Sequence, residues 1–461
     1  MSARSAGPTP LTAVVTWLRR DWLSLVLYAA ATVVMTYPVA AHLNDGWLAY
    51  RDIDTYMKLW DQWWLGRTIA AGGPFNFTID LFHPIGLDLT YHSISWTVTA
   101  LMVGLGPLLG SYGAYNVTLL VGVFTTAYGA YLFCRTLTDH RAAAWLGGAV
   151  YSFIPYHIAH TGGHPDLTHL AGIPLVMLFF GRALSRSSWK DALIGAVVVA
   201  TIAFTGLYLF EFTIMTLLPV FAYTALRERR WRNAGLWRAL LVFGATSAVL
   251  TAPRTLPLIQ SAAALSSAIE EKFDAEATQT DLLALITPSH FNPIFQPVVG
   301  EIADRFVMNR KWPGYIGLLP LALIAAALTQ RRHRLETWAW LLLGGFFLVM
   351  ALGPNLRVNG ELYRDISLPY AWLSGFPPVR VVGRPDYFII GWQLPLAVLA
   401  ALGADRVLGA VKQPGVRTTV AISAGLFLLF EYWNGPYPGI QPEIDPVYAQ
   451  LAQETGDFAV I

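Results

Sequence analysis

The chain has 461 residues, of which 55% are hydrophobic and only 13% are charged. Soluble domains carry roughly 25% charged residues, so this composition excludes an ordinary soluble enzyme and indicates a polytopic membrane protein. The formal net charge of +2 gives no sign of nucleic-acid binding. The single cysteine, Cys134, excludes an internal disulfide. The sequence also lacks a Walker loop and a GxGxxG turn after a strand, which argues against ATP or NAD chemistry.

Apolar runs recur along the chain, separated by short basic junctions. Because short cytoplasmic loops carry excess Lys and Arg, we assign the junctions to the cytoplasm. The junctions are Arg19-Arg20; Arg135 and Arg141; Arg182, Arg186 and Lys190; 227–238; 331–334; and Arg406, Lys412 and Arg417. Crossing out and back between them predicts the helices 22–41, 113–134, 142–159, 169–184, 190–208, 211–226, 237–256, 313–330, 336–353, 387–404 and 417–433. The prediction is an all-α polytopic membrane protein with about 11 transmembrane helices and a cytoplasmic N-terminus.

The first run, 22–41, is about twenty residues long, which exceeds the apolar core of a cleaved signal and predicts a retained anchor. A further apolar stretch, SISWTVTALMVGLGPLLG at 93–110, is also long enough to cross the membrane. If it crossed, Arg135 and Arg141 would move outside and every later junction would be inverted. The charge pattern therefore predicts that this stretch lies in the interface or re-enters, with a break at Gly106-Pro107.

This topology places three long loops outside, at 42–112, 257–312 and 354–386. Long loops on a rigid scaffold commonly carry function, so we expect the functional site on the extracytoplasmic face. Residues 1–435 then form one transmembrane domain. The tail 436–461 is predicted to be a proline-rich linker and a short helix, and its last residues read like the first strand of a soluble domain that is lost or cut short.

The first outer loop contains DTYMKLWDQWWLGRTIA, which predicts a helix with Asp54 as its N-cap. Met57, Trp60, Trp64 and Thr68 then share one face. Tryptophan favours the headgroup level of a bilayer, so the helix is predicted to lie on the outer membrane surface.

Asp52 and Asp54 admit more than one interpretation. A capped interfacial helix with solvated acids explains them without any chemistry. Asp52-Ile53-Asp54 also has the form of a metal-binding DxD motif of nucleotide-sugar enzymes. That interpretation is weaker, because nucleotide sugars are cytosolic and these acids are predicted to lie outside.

Several short motifs follow one another in an informative order. Asp54 precedes Trp60 and Trp63-Trp64, then LFHPIGLDL at 81–89, SYGAYNVTLL at 111–120, WLGGAVYSFIPYHIAHTGGHPDLTHLAGIPL at 145–175, and FPPVRVVGRPDYF at 376–388 before an apolar helix ending in ALGADRVL. This order resembles that of the GT-C superfamily of bacterial membrane glycosyltransferases, which use polyprenyl-phosphate sugars. The resemblance covers about 40–435. Its motifs are short and loosely spaced, so it bears on the superfamily and not on the substrate.

The resemblance implies that an acid of the first outer loop sits at the reaction centre. Asp54 matches best by its distance to Trp60 and Trp63-Trp64, and Asp52 is the second choice. The implied chemistry is a single displacement in which a carboxylate takes the proton of the acceptor hydroxyl. One base suffices, unlike the paired carboxylates of glycoside hydrolysis. The second acid could hold a divalent ion (Mg²⁺ or Mn²⁺) on the phosphate or orient the first acid.

The predicted outer turn PYHIAHTGGHPDLTHL is rich in histidine. These histidines could be ordinary interfacial residues, hydrogen-bond partners of a lipid phosphate or sugar, or metal ligands together with an acid. Gly162-Gly163 would let the turn approach another loop closely. The substrate-binding candidates here are His157, His160, His164 and Asp166, and the metal-ligand candidates are Asp52, His164 and Asp166.

Arginines supply the remaining candidates. Arg380 and Arg384 flank a bend near a predicted membrane entry and are suited to grip a lipid phosphate, although anchoring to anionic headgroups would explain them equally well. Arg254 lies near the outer end of a predicted span, where a lone charge usually has a partner or a cavity. His83, within LFHPIGLDL, completes the substrate-binding set.

The favoured function is a multi-pass glycosyltransferase of the bacterial plasma membrane with an extracytoplasmic active site. It would transfer a hexose or pentose, with inversion, from a polyprenyl-phosphate donor to a glycan, lipid or protein acceptor. The alternatives are a non-catalytic carrier or flippase for a lipid-linked sugar and an envelope assembly protein. A carrier should place ionisable residues near the bilayer midplane, whereas charge here gathers in the outer loops.

Overall fold

The computed structural model describes residues 10–48, 53–227, 230–260, 274–437, 439–440 and 445–454. Its α-helices are α1 (Pro10–Met35), α2 (Ile53–Ala71), α3 (Trp96–Cys134), α4 (Arg141–Phe153), α5 (Pro155–Ala159), α6 (Gly172–Arg186), α7 (Trp189–Thr205), α8 (Leu207–Arg227), α9 (Ala234–Gln260), α10 (Gln296–Ala303), α11 (Leu318–Leu328), α12 (Arg334–Ala351), α13 (Pro369–Leu373), α14 (Pro377–Val382), α15 (Phe388–Ala410), α16 (Pro414–Tyr432) and α17 (Val447–Leu451). Single 3-10 turns at Val39–Ala41, His160–Gly162, Pro165–Thr168, Arg230–Arg232, Leu283–Leu285 and Pro385–Tyr387 connect or extend them. The predicted helical class is confirmed in this main feature.

Short antiparallel strands pair two by two in the loops of the described chain. The pairs are β1 (Trp47–Leu48) with β6 (Gly439–Ile440), β2 (Phe77–Thr78) with β3 (Leu87–Asp88), and β4 (Asn355–Val358) with β5 (Glu361–Ser367). The first pair joins the start of the first loop to the tail, with Trp47 opposite Ile440. Tyr437 also donates its backbone N–H to the carbonyl of Tyr37 at 3.0 Å. The tail and the first loop therefore lie at the same end of the molecule.

Five helices of the described chain are long and apolar enough to cross a membrane: Trp96–Cys134, Leu207–Leu226, Ala234–Gln260, Arg334–Ala351 and Pro385–Ala410. Other predicted spans are helical but shorter or less apolar, as in the eleven-residue apolar helix α11. Helices α1 and α9 keep large apolar side chains exposed, among them Trp22 and Leu241, as surfaces that face lipid do. Eleven crossings and their sidedness stay a prediction.

Two predicted helices are interrupted, for identifiable reasons. The span 142–159 divides at Ile154, whose ψ of 135° is extended because it precedes Pro155. The segment 93–110 and the span 113–134 merge into α3, with the break at Gly110 and not at the expected Gly106-Pro107. Pro107 stays within the helix, whereas Gly110 has a φ of 68°, a value that glycine adopts without a steric penalty.

Helix α15 is the centre of the packing. Its residues are buried from Phe388 to Asp405, and α4, α11 and α12 pack around it. A helix that is apolar on all sides belongs in such a core. Close approach is achieved through Gly403, where a Cβ atom would lie 1.8 Å from the backbone oxygen of Leu323 on α11. Small residues allow helices in membranes to pack backbone against backbone.

The second and third loops, which follow α9 and α12, are fastened together by one carboxylate. Asp281 is 1% exposed and accepts hydrogen bonds from the backbone N–H groups of Leu283, Asn359 and Gly360 at 2.7–2.9 Å. Its own N–H donates to the side chain of Asn309. The turn between β4 and β5 is therefore held against the segment that leads towards α11.

Replacing Gly403 with alanine tests the backbone contact between α15 and α11. The added methyl cannot be accommodated without moving a main chain, so we expect a loss of at least about 1–3 kcal/mol, as in overpacked cores. Thermal unfolding of the purified protein in detergent measures the change. Gly345→Ala on α12, where a Cβ would meet nothing within 4 Å, should keep or slightly raise the melting temperature. Equal melting temperatures for the two variants would contradict the packing described.

Candidate functional site

Asp54 lies in the first turn of α2, which begins at Ile53, so it is inside the helix and is not the predicted N-cap. Its side chain is 38% exposed. A carboxylate in the first helical turn is favoured by the positive end of the helix dipole. Asp52, the second predicted acid, lies outside the described residues.

The tryptophan face of α2 packs on protein and not on the surface. Trp60 and Trp64 are stacked with ring centroids 5.8 Å apart, and Trp64 packs edge to face against Trp96 at 6.4 Å. Trp64 is only 2% exposed, whereas Trp63, on the other side, is 52% exposed. The periodicity identified the apolar face correctly, but its partner is the first half of α3.

A buried ionic cluster strengthens this attachment. Lys58 and Asp61 are 2% and 0% exposed, and the Lys58 Nζ and Asp61 Oδ2 atoms are 3.7 Å apart. His92 Nε2 lies 2.7 Å from Asp61 Oδ1, and Lys58 donates to the backbone oxygen of Ser93. The cluster ties α2 to the segment that enters α3. The sequence analysis missed it, although Lys58 and Asp61 are three residues apart and share the face of the helix.

The histidine-rich turn, defined as residues 154–171, brings a second group to Asp54. His164 Nε2 is 3.3 Å from Asp54 Oδ2, and the His164 side chain is 14% exposed. Gly163, with a φ of 153°, makes the bend that precedes it. Two side chains that are 110 positions apart in the sequence therefore meet.

His160 forms the inner wall of this site. Its ring stacks on Trp312 with centroids 4.1 Å apart and planes inclined by 11°, and lies 5.5 Å from the ring of His164. Its Nδ1 donates to the backbone oxygen of Tyr156 at 2.7 Å. Burial, and then the neighbouring His164, lower the pKa of His160 well below its usual value, so the ring is neutral.

Asp166 occupies the first turn of the 3-10 helix Pro165–Thr168. Its Oδ1 atom is buried and has no hydrogen-bond partner among the described residues. Asp54 and Asp166 both exert their charge on the phenol of Tyr208 at the start of α8. The ring of Tyr208 lies 5.0 Å from that of Tyr387. Asp166, Tyr208 and Tyr387 thus lie near the Asp54–His164 contact.

Arg384 reaches the same region but already holds a carboxylate. Its Nε and Nη2 atoms donate to the two oxygens of Asp386 at 3.0 and 2.9 Å, and its guanidinium lies 4.4 Å from the ring centroid of Tyr387. Tyr156 donates to Asp386 at 3.4 Å. Burial alone would lower the pKa of Arg384, but the Asp386 carboxylate raises it. Arg384 and Asp386 therefore form an ion pair in this structure, and the contact of Arg384 with a phosphate stays a prediction.

The other predicted arginines lie on neighbouring elements. Arg380 is in the last turn of α14, four residues before Arg384. Arg254 Nη1 donates to the backbone oxygen of Thr90 at 3.2 Å. Arg254 therefore acts on the first loop two residues before His92 and not directly on Asp54.

His157 and His83 do not join the Asp54–His164 contact. The ring nitrogens of His157 face the backbone oxygens of Ser152 and Thr168, and the side chain is 1% exposed, so it bridges the ends of the turn. His83 is exposed near the tip of the β2–β3 hairpin, between the exposed Phe82 and Ile85. Sequence composition alone could not separate these histidines from His160 and His164.

The metal prediction stays open. Within the described residues, no group of three His, Cys, Asp or Glu side chains is placed to hold an ion. Asp54 and His164 provide two donors at one point, and Asp52 is not among the residues described.

Sequence reasoning also missed Trp312, Tyr208 and the Tyr156–Asp386 contact. Asp386 follows Arg384 in the quoted motif, and that spacing was a usable signal for an ion pair. Trp312 carried no signal, because a single tryptophan in a long loop has no periodic partner. The Asn309 side chain accepts from the backbone N–H of Asp281 and donates to the backbone oxygen of Trp312, which links the Trp312 loop to Asp281.

Substitution of Arg384 by methionine tests the buried pair. It leaves Asp386 buried without its partner, which costs about 3–5 kcal/mol when such pairs are broken. Thermal unfolding in detergent should show a large loss of stability. The matched control is Arg364→Met, whose ion pair with Glu276 is at the surface and should leave the melting temperature nearly unchanged. A melting temperature of Arg384→Met equal to that of the control would show that Asp386 does not depend on the arginine.

Comparison with known proteins bears on the fold. No curated protein matches the sequence. The structure is similar to the arabinofuranosyltransferase AftD from Mycobacteria, with a TM-score of 0.54 and 14% identity over 94% of this chain and 28% of AftD. It is also similar to the Archaeoglobus fulgidus oligosaccharyltransferase in its apo form, with a TM-score of 0.51 and 12% identity over 96% of this chain and 59% of that chain.

The chain thus spans less than two thirds of either neighbour, and at these identities the likeness concerns the fold. The chain therefore shares the fold of an arabinofuranosyltransferase and of an oligosaccharyltransferase. Together with the apolar helices, this fold indicates a multi-pass membrane protein. At the level of sequence, the model of one family matches residues 24–422, and the chain therefore belongs to the family described as Domain of unknown function (DUF6311).

Proposed function

We propose that the chain is a membrane glycosyltransferase that moves a sugar from a polyprenyl-phosphate donor to an acceptor hydroxyl. The observation that carries this proposal is the 3.3 Å contact between Asp54 and His164. It lies where the first loop, the histidine-rich turn and the segment containing Arg384 and Tyr387 converge. A carboxylate beside an imidazole, within a largely buried wall, is suited to accept and pass on a proton.

The proposed reaction is one displacement. The acceptor oxygen attacks the anomeric carbon from the side opposite the phosphate, and the bond from that carbon to the phosphate oxygen breaks. The polyprenyl phosphate leaves with the electron pair, and the configuration of the carbon is inverted. Asp54 takes the proton from the acceptor hydroxyl, which is a weak nucleophile until that proton is removed.

His164 would orient the Asp54 carboxylate and carry the proton away from it. Its Nε2 atom faces Asp54, and its ring is held between His160 and Trp312, at 5.5 and 5.2 Å from their centroids. The side chain retains some exposure. The proton therefore has a path from the buried wall to water without a large movement of the turn.

The structural neighbours support the class of reaction. One is an arabinofuranosyltransferase and the other is an oligosaccharyltransferase. We propose that this chain likewise uses a lipid-linked pentose or hexose and a glycan, lipid or protein acceptor. The proposed location is the bacterial plasma membrane, with the site on the extracytoplasmic face. Mg²⁺ or Mn²⁺ is kept as a candidate cofactor, with Asp52, His164 and Asp166 as candidate ligands.

The second candidate is a non-catalytic carrier for a lipid-linked sugar. A carrier also needs a polar site beside lipid, but it has no need of a base in contact with the acceptor. The pairing of Asp54 with His164 at the loop end of the helices favours the enzyme. The two candidates differ in one measurable respect, because only the enzyme releases sugar-free polyprenyl phosphate.

Replacement of Asp54 by asparagine should abolish transfer while expression and membrane insertion persist. His164→Gln should lower the turnover rate by about 10²–10⁴-fold, the range of general acid–base catalysis. The assay uses purified protein, an acceptor-containing membrane extract, and short-chain polyprenyl phosphates that bear a pentose or a hexose. Release of the free polyprenyl phosphate is measured.

The control is Asp45→Asn, which alters an exposed acid of the same loop that pairs with His42. It should turn over at the parental rate. Normal turnover by Asp54→Asn would transfer the role of base to another residue. Binding of the lipid-linked sugars without release by the parental protein would favour the carrier.

A further inference from the structure

Two buried acceptor atoms of the histidine-rich turn flank the Asp54–His164 contact. They are Nε2 of His160 and Oδ1 of Asp166, and neither has a hydrogen-bond partner in the part of the chain described here. Buried polar atoms without partners occur elsewhere in this protein. The atoms of His160 and Asp166 differ from the others in position, because these residues lie four positions before and two positions after His164 in the same turn.

The protonation state of His160 follows from its neighbour. The backbone oxygen of Tyr156 can only accept a hydrogen bond, so Nδ1 of His160 carries the proton that it donates there. A neutral ring then leaves a lone pair on Nε2. Stacking on Trp312 and contact with Tyr156, 4.6 Å between centroids, fix the orientation of the ring. His160 is therefore a rigid, neutral acceptor.

Asp166 is an acceptor of a different kind, because its carboxylate has no proton to donate when ionised. It lies close enough to Tyr208 and Tyr387 for its charge to act on both phenols. Leaving a buried acceptor unsatisfied costs about 1–3 kcal/mol. A ligand that supplies donors to both atoms would recover that free energy on binding.

The chemistry of the ligand can be narrowed by what it must donate. The phosphodiester of a lipid-linked sugar has acceptor oxygens only, and its negative charge would face the carboxylates of Asp54 and Asp166. Arg384 does not offset that repulsion, because Asp386 already binds it through both oxygens. Sugar hydroxyls, in contrast, are neutral donors and match two acceptors placed on one turn.

We propose that His160 and Asp166 form a hydroxyl-accepting subsite that holds a sugar ring beside Asp54, with the phosphate bound away from this turn. The inference rests on the proposed lipid-linked sugar substrate. The ring belongs to the donor or to a glycan acceptor, since both present hydroxyls. His160 and Asp166 are then determinants of sugar binding, and Asp54 and His164 carry the proton transfer.

The test compares the affinities of two probes for the purified full-length protein in lipid nanodiscs. One probe is a short-chain polyprenyl phosphate that bears a hexose or a pentose, and the other is the same lipid without a sugar. We expect the parental protein to bind a sugar-bearing lipid more tightly, by roughly 5- to 140-fold for one satisfied acceptor. His160→Asn and Asp166→Leu, which each remove one acceptor atom, should each reduce this ratio, and the double variant should bring it to within about twofold. All three variants should leave the affinity for the sugar-free lipid unchanged.

Two further variants separate hydrogen bonding from scaffolding. His160→Gln can place its Oε1 atom near the position of Nε2, so it should retain most of the affinity ratio, whereas asparagine reaches only as far as Nδ1. His290→Asn makes the same change at a histidine of the second loop, whose ring contacts Phe291. It should leave the ratio unaltered. Thermal unfolding confirms that each variant is folded.

A second arm identifies the source of the sugar. Binding of a panel of soluble oligosaccharides is measured with the same variants. If His160→Asn and Asp166→Leu weaken oligosaccharide binding and leave the ratio of the two lipid affinities intact, the subsite takes the acceptor sugar. The subsite proposal is overturned if the variants change neither the ratio of lipid affinities nor the oligosaccharide affinity. It is also overturned if they lower the affinity for both lipids by the same factor.

These outcomes are separate from the fate of the proposed function. The variants could lower the ratio of lipid affinities as expected while the parental protein releases no polyprenyl phosphate. That result would keep the subsite and reject glycosyl transfer. Normal transfer by variants that alter neither the affinity ratio nor oligosaccharide binding would keep the enzyme and reject the subsite. Equal affinity of the parental protein for lipids with and without sugar, with no oligosaccharide binding, would reject the subsite outright.

Discussion

The position of Asp54 depends on the attachment of α2 to α3. One face of α2 buries Trp64 against Trp96, and the preceding turn buries the oppositely charged pair of Lys58 and Asp61. A buried ion pair adds little net stability, but it fixes the relative positions of its two side chains. Either charge buried without the other would be very unfavourable. The pair therefore sets the register of α2. Asp54, one helical turn before Lys58, is placed at the edge of the site as a consequence.

The opposite wall depends on loops that hold one another. Asp281 fastens the β4–β5 turn to the second loop, and that loop brings Trp312 onto the ring of His160. The Arg384–Asp386 pair adds a contact with the sulfur of Met308 at 3.6 Å. Most of these side chains are buried, so charges at the site are weakly screened and each hydrogen bond has a strong effect on its neighbours.

The separation of roles within the histidine-rich turn is the main chemical consequence. Its four histidines look alike in sequence, yet each has a different environment. His157 bridges backbone oxygens, His160 is a neutral acceptor, His164 meets Asp54, and His169 packs its ring against Gly122. These environments consist of backbone oxygens, aromatic rings and one carboxylate, which the fold places around the histidines. Residue type and spacing carry none of that information.

Composition, apolar periodicity and motif order were sufficient to predict a helical membrane protein, because the transfer of apolar side chains from water is a property of each segment alone. They also singled out Asp54 and His164. The tertiary structure decided which predicted residues meet. Partners such as Asp386, Trp312 and Tyr208 come from distant segments, and a contact between distant segments depends on how the whole chain packs. Sequence patterns therefore indicated which segments carry the candidate site residues, and the packing of the chain determined which groups each of those residues contacts.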